Sequence, residues 1–262
     1  MITLSIILPT LNEEENLNIL IPDLIKNLEI IDDLEFEIIV SDDKSTDGTK
    51  ELMSSFNSKY KNVHLYERTS EPSLPMSIWD GIKQSRSDYV LWMDADGSMP
   101  AKSVNELVSL IIENKESVVI GSRFVDGGAY KGIIELEEKS VIKAILNVYK
   151  SNDTVLGMIL SNLFNKLLRS IFSSKVSDIT SGFIIGKKSY FTIDLFNKSS
   201  YGEYFIYVVA KLLSSNIEII EKGYICETRK HGNSKTATSF IQLLKRGYPY
   251  IVTAIKVRQN GN

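Results

Sequence analysis

Histidine, cysteine and long apolar runs are all scarce in this chain of 262 residues. The lone cysteine, Cys226, cannot close an internal disulfide, a usage that suits a reducing compartment such as the cytoplasm. Two histidines, His64 and His231, are too few and too far apart in sequence to nominate a zinc site. The charge-free stretch "TVLGMILSNLFN" at 154–165 falls short of the roughly 20 apolar residues that a spanning helix needs. "MITLSIILPTLNEEE" has no basic segment ahead of its apolar run and acids directly behind it, so it reads as a core strand and not as a signal peptide. Neither sign of charge dominates: 30 Lys and Arg stand against 33 Asp and Glu, a net charge of -3, and the scattered basic residues offer no nucleic-acid surface. G-x-S-x-G, P-loop and Rossmann glycine fingerprints are all missing, which sets aside serine hydrolases, P-loop NTPases and ordinary dehydrogenases. No internal repeat or low-complexity linker divides the chain.

What the chain does have is 43% apolar residues, enough for a substantial core, arranged as short β-rich runs alternating with helical patterns. "LSIILP", "FEIIVSDD", "NVHLYER", "DYVLWMD" and "SVVIGS" read as strands, separated by "ENLNILIPDLIKNL", "TKELMSSFNSKY", "MSIWDGIKQS" and "SVNELVSLIIENK" as crossover helices. This predicts an α/β fold with a mostly parallel central sheet covered by helices on both faces. From 129 to 176 the pattern is helical with a broad apolar face, predicting helices over the sheet, or alternatively a membrane-facing amphipathic segment. "VSDITSGFIIGKKSYF" then reads as a turn and strand, and "FIQLLKRGYPYIVTAIKVRQN" as a helix kinked or broken at Pro249.

In such sheets ligands bind beyond the carboxyl ends of the strands, so the polar segments following each apolar run should converge on one crevice. The sharpest of them is "VLWMDADGSMP" at 90–100. Along an extended backbone Asp94 and Asp96 project together while Ala95 points back into the protein. Two such carboxylates repel unless a cation joins them, and an oxygen-only ligand set selects a hard ion, Mg²⁺ or Mn²⁺. In "SDDKSTDGT", Ser45 and Thr46 suit a helix start, whereas Asp43 at the strand exit can accept hydrogen bonds from a ribose or a base. In "PTLNEEE", Pro9 marks the strand exit, and Asn12, Glu13 and Glu14 fall in a first helical turn where acids suit the dipole.

Taken in order, "SIILPTLNEEENL", "FEIIVSDDKSTDGT", "DYVLWMDADGSMP", "VVIGSRFVDGG", "DITSGF" and "RKHGNSK" resemble the family-2 glycosyltransferases of the GT-A fold, and within them the dolichol-phosphate mannose type of polyprenyl-phosphate synthases, over residues 2–240. The resemblance implies a nucleotide pocket lined by Pro9, Leu11, Glu13, Ser41 and Asp43, with Asp94, Ala95 and Asp96 against the diphosphate and a Mg²⁺ or Mn²⁺ held by Asp94 and Asp96. Ser98 stands where these synthases usually carry a glutamine that helps hold the ion. Arg123, Arg229 and Lys235 match basic residues that contact phosphates, a task suited to the arginine fork and the mobile lysine charge. Two departures concern the acceptor side: Ser73, Leu74 and Pro75 replace a glycine-rich turn, and Gly157 or Met158 falls near a usual arginine.

The resemblance further implies a GT-A domain over residues 1–240, with a nucleotide-sugar-binding half (1–128) and an acceptor half (129–240), followed by a helical extension (241–262). The implied reaction is inverting, metal-dependent transfer of a hexose from a nucleotide-diphosphate sugar, with Asp96 and Arg229 in catalytic roles. The foremost acceptor is a polyprenyl phosphate, dolichyl or undecaprenyl, reached by peripheral contact at the cytoplasmic face of a membrane. An ionised phosphate can attack without a protein base, whereas a sugar hydroxyl in cell-surface polysaccharide assembly needs one, for which Glu203 is the candidate. A nucleotide-sugar binding protein without turnover is the alternative from another class.

Overall fold

The computed structural model describes residues 1–130, 155–172, 175–227 and 240–260. In chain order these form β1 (Ile2–Thr10), α1 (Glu14–Leu28), β2 (Leu34–Asp42), α2 (Thr49–Lys59), β3 (Val63–Glu67), α3 (Leu74–Gln84), β4 (Tyr89–Trp92), α4 (Ala101–Glu113), β5 (Val118–Ser122) and β6 (Ala129–Tyr130). They continue with α5 (Val155–Phe172), β7 (Ile184–Lys187), α6 (Tyr204–Ser214), β8 (Ile219–Gly223), β9 (Ile225–Cys226) and α7 (Phe240–Asn260). Seven strands make one sheet in the order β3-β2-β1-β4-β7-β5-β8, while β6 and β9 pair as a separate parallel ribbon. Every pairing in the large sheet is parallel except those of β7, which runs antiparallel to β4 and β5.

The central strands are apolar on both faces because both are covered. On β1, Leu4, Ile6 and Leu8 join Leu17, Ile21 and Leu24 of α1 and Leu107 of α4 in one core. Ile7, on the opposite face, joins Ile39, Val90 and Trp92, together with Ile78 of α3 and Phe205 and Val209 of α6, in a second. Alternation along one strand thus supplies two cores, which is why "LSIILP" reads as a continuous apolar run.

Two elements differ from the sequence expectation. Helix α3 begins at Leu74 with Pro75 in its first turn, because a proline costs nothing where helical N–H groups have no partner. Helix α7 runs unbroken through Pro249, so of the kink or break expected there the break does not occur. Its Ala254 is fully buried and its Tyr250 meets Phe164 of α5 edge-on at 5.8 Å, so tertiary packing outweighs the lost helical bond. Among the described residues no helix is long and apolar enough to cross a membrane.

Candidate functional site

The register of the parallel strands aligns their exits: Pro9 lies opposite Ser41 and Thr10 opposite Asp42, and the Asp43 amide donates to the Thr10 carbonyl at 2.8 Å. Beyond these exits opens a cleft of about 260 Å³. Pro9, Leu11, Glu13, Asp43, Asp94, Ala95 and Asp96, all named from the sequence, line it, together with Thr10, Pro72, Ser73, Leu74, Ser200 and Tyr201.

The two carboxylates share the cleft for a different reason from the alternation expected. Strand β4 ends at Trp92, and residues 95–98 form a turn in which Gly97 takes φ +76° and the Ser98 amide donates to Asp96 Oδ1 at 2.9 Å. Asp96 is 4% exposed. Ser98 contributes backbone to the turn: its carbonyl accepts from the Glu227 amide at 2.9 Å, and its side chain does not line the cleft. Among the described residues no three His, Cys, Asp or Glu side chains cluster closely enough to hold a metal unaided. Two carboxylates with oxygen-only chemistry suit a hard cation that completes its shell with phosphate oxygens and water.

The loops after β1 and β2 are tied to each other. Asn12, at φ +57°, donates its amide to Ser45 Oγ at 2.8 Å and accepts from the Thr46 amide at 2.7 Å. The Glu14 amide donates to Asp47 at 3.1 Å, and Glu14 accepts from the Gly48 amide at 3.1 Å. The acids of "NEEE" therefore have specific partners beyond the helix dipole; Glu13 accepts from Asn16 Nδ2 at 2.6 Å.

Asp43 reveals a residue that sequence reasoning missed. The Arg68 side chain is 1% exposed and forks between the loop after β2, helix α3 and its own loop: Nη1 to Asp43 Oδ1, Nε to Asp80 at 2.9 Å, and Nη2 to Ser70 Oγ at 2.9 Å. Asp43 Oδ2 accepts from the Ser73 amide at 2.9 Å. Burial pushes the Asp43 carboxyl above its ordinary range, against the opposing pull of the Ser73 amide and the Arg68 charge. A signal was available, since Arg68 directly follows β3 at the same edge of the sheet.

Other predicted residues lie elsewhere. Ser41 is fully buried beneath the cleft, does not line it, and its Oγ has no hydrogen-bond partner among the described residues. Ser41→Ala should therefore leave stability unchanged or raise it by up to about 1 kcal/mol in urea unfolding, with unchanged donor affinity; weaker nucleotide protection would instead restore Ser41 to the pocket. Arg123 does not line the cleft: its guanidinium grips the fully buried Asp178 through Nε and Nη2, each at 2.8 Å, and stacks near Phe124 and Tyr130. Its Nε and Nη2 donors are directed to that carboxylate and to Thr180 Oγ1 at 3.0 Å.

Glu203, 4% exposed, directs both oxygens at its own turn. It accepts from the Ser200 amide at 2.8 Å, Ser200 Oγ at 3.0 Å and the Tyr201 amide at 3.1 Å. Ser200 and Tyr201, which it fixes, are the groups that reach the cleft, and nothing in their local sequence announces that. Arg229 and Lys235 lie outside the described residues.

The sequence model of the family described as Glycosyl transferase family 2 matches residues 5–192. The chain belongs to that family. Two similar curated relatives are dolichol-phosphate mannosyltransferases: one from Pyrococcus furiosus, 38% identical over 47% of this chain and 34% of the relative, and one from Mycosarcoma maydis, 33% identical over 46% and 42%. The chain thus matches well under half the length of either. Among solved structures, glucosyl-3-phosphoglycerate synthase from Mycobacterium tuberculosis, in complex with Mn²⁺, UDP and phosphoglyceric acid, superposes over 98% of this chain and 78% of its own, with TM-score 0.62 and 17% identity. At that identity the likeness is one of fold, and this family-2 chain has the GT-A architecture expected of it.

Proposed function

We propose that this chain transfers a hexose, with inversion, from a nucleotide-diphosphate sugar to a polyprenyl phosphate in a metal-dependent reaction. The observation that carries the reading is the placement of Asp94 and Asp96 in one cleft with Asp43 and Glu13. Asp43, anchored by Arg68 and the Ser73 amide, accepts hydrogen bonds from the base or ribose of the donor. Asp94 and Asp96 would hold a Mg²⁺ or Mn²⁺, which when bound offsets the charge growing on the leaving diphosphate. The Glu227 amide donates to the carbonyl of Ser98, in the turn that carries Asp96, and Arg229 follows two positions later in sequence. Arg229 and Lys235, which match the family's phosphate-contacting basic residues, would steady the leaving diphosphate.

The similar dolichol-phosphate mannosyltransferases favour a lipid phosphate acceptor, as do the exposed Leu163 (56%) and Leu167 (48%), four residues apart on α5 and suited to peripheral membrane contact at the cytoplasmic face. A hydroxyl acceptor would require Glu203 to abandon three donors of its own turn. Accordingly Glu203→Gln should lower turnover by less than about ten-fold, because the amide oxygen still accepts one turn N–H, whereas loss of a true base removes about 10²- to 10⁴-fold. Steady-state kinetics distinguish the two.

The test of the whole reading is a panel of nucleotide sugars offered with Mn²⁺ and with polyprenyl phosphate in vesicles. One donor should raise the unfolding temperature and be consumed with formation of a glycosylated lipid; donor present at about 100 times its Kd stabilises by about 2.7 kcal/mol. Protection without product would leave a binding protein, and the absence of both effects would overturn the proposal.

A further inference from the structure

Helices α5 and α7 lie side by side and run the same way. Phe164 of α5 meets Tyr250 edge-on and packs on Gly247, where a Cβ would stand 3.1 Å from its ring. Farther along both helices, Arg258 Nη1 donates to the Ile171 carbonyl at 3.1 Å. Leu168 of α5 and Ala254 of α7, both fully buried, belong to the same core, so the exposed rows of the two helices look outward from one layer. On α5 that row is Leu163, Lys166, Leu167 and Ser170, the spacing of a single helix face. On α7 it holds Tyr248 and Ile255, seven residues apart, with Lys256 and Arg258. A helix bathed only in water turns polar residues outward. These outward rows carry four large apolar side chains instead. Every charged residue of both helices is a Lys or an Arg, on a chain whose net charge is -3.

We infer that the outer face of the α5–α7 pair docks on a membrane surface rich in anionic phospholipid. Leu163, Leu167, Tyr248 and Ile255 enter the headgroup boundary, and Lys166, Lys256 and Arg258 meet the negative headgroups. Charge decides the occupant. A second copy of this chain would bring the same cations against these, and a bilayer without net charge would leave them unmatched. The face also adjoins the cleft: the Tyr250 hydroxyl packs against Gly202, filling the place a Cβ would take, and Tyr201 beside that glycine lines the cleft. Docking there sets the wall formed by Ser200 and Tyr201 near the headgroups, the depth at which a polyprenyl phosphate carries its phosphate. In that purpose the inference rests on the reading of a lipid phosphate acceptor, whereas the binding itself needs neither donor nor acceptor.

The experiment co-sediments the full chain with vesicles of phosphatidylcholine alone and of an equimolar mixture with phosphatidylglycerol, both without polyprenyl phosphate. Partition to the mixed vesicles should be at least about 20-fold stronger. Raising NaCl from about 50 mM to about 500 mM should release most of it. The double variant Lys166→Gln, Lys256→Gln should weaken that partition about 25-fold, about five-fold for each charge. Leu163→Ser with Leu167→Ser should weaken it about ten-fold or more at low salt. All four positions are exposed, so unfolding temperatures should match the wild type, and Tyr248→Ser with Ile255→Ser stands in for a pair that fails to fold. Equal partition to both vesicles, no partition, or partition that survives both double variants overturns the docking face. A dimer in sedimentation velocity that the leucine pair dissolves overturns it in favour of a second copy. Transfer to polyprenyl phosphate dispersed in detergent tests the acceptor separately. Transfer there by a chain that binds no vesicle overturns the docking alone; charge-selective vesicle binding without transfer supports the docking and overturns the acceptor.

Discussion

Asp96→Ala is expected to abolish Mn²⁺-dependent donor binding and to lower turnover by about 10³-fold or more, the several kcal/mol that a cation contributes at a developing charge. The substitution removes one of the two carboxylates proposed to hold the ion and also the acceptor of the Ser98 amide, so loss of activity alone could reflect a loosened turn. Asp96→Asn separates the two effects. Its amide oxygen can still accept from Ser98, preserving the turn around Gly97, but it brings no charge to a cation. Both variants should therefore lose Mn²⁺-dependent protection by nucleotide, while only the alanine variant should lose stability without ligand. Turnover that survives in Asp96→Asn and resists EDTA would refute the metal role.

Arg68→Ala should be the most destabilising single change at the cleft, by about 3–5 kcal/mol in denaturant unfolding near neutral pH. Removing the guanidinium leaves the Asp43 and Asp80 carboxylates facing a buried cavity without their shared partner. Arg68→Lys should recover only part of the loss, since one ammonium cannot span Asp43, Asp80 and Ser70 as the fork does. The pH dependence has a definite sign. Burial already raises the Asp43 carboxyl and Arg68 opposes that rise, so deleting Arg68 raises it further. A carboxyl that holds its proton more tightly folded than unfolded loses stability as pH climbs from its ordinary value, about 3.9, through the raised one. The deficit of Arg68→Ala should shrink as pH falls through that window, and a deficit that grows on acidification would exclude Asp43 as its source.

Arg68 also shows where reading along the chain stops. Its partners are 25 and 12 residues away, and they meet only because β2 and β3 lie side by side and exit at one edge. Asp94 and Asp96 were legible because both sit within three residues on one strand exit, even though a turn and not strand alternation aims them at the cleft. Leu11, Glu13 and Asp43, just past strand ends, and Pro9, one residue inside the end of β1, were legible for the same reason. Arg123 looked like a free basic group because its partner, Asp178, is 55 residues on and arrives with the turn preceding β7. That strand's antiparallel insertion between β4 and β5 leaves no mark in hydrophobic pattern, since a buried antiparallel strand is as apolar as its neighbours. Ser200 and Tyr201 were invisible because Glu203, the conspicuous acid, is spent on holding them.

The stitching between the loops after β1 and β2 bears on how the cleft meets its ligand. The amides of Asn12, Glu14, Thr46 and Gly48 each donate to a side chain of the opposite loop, so neither loop can lift without exposing the other's backbone. These amides should exchange with solvent deuterium as one cooperative unit even before any nucleotide is added. A wall ordered in advance loses little further freedom when occupied, so the entropy given up on donor binding falls to the ligand and to the rest of the site.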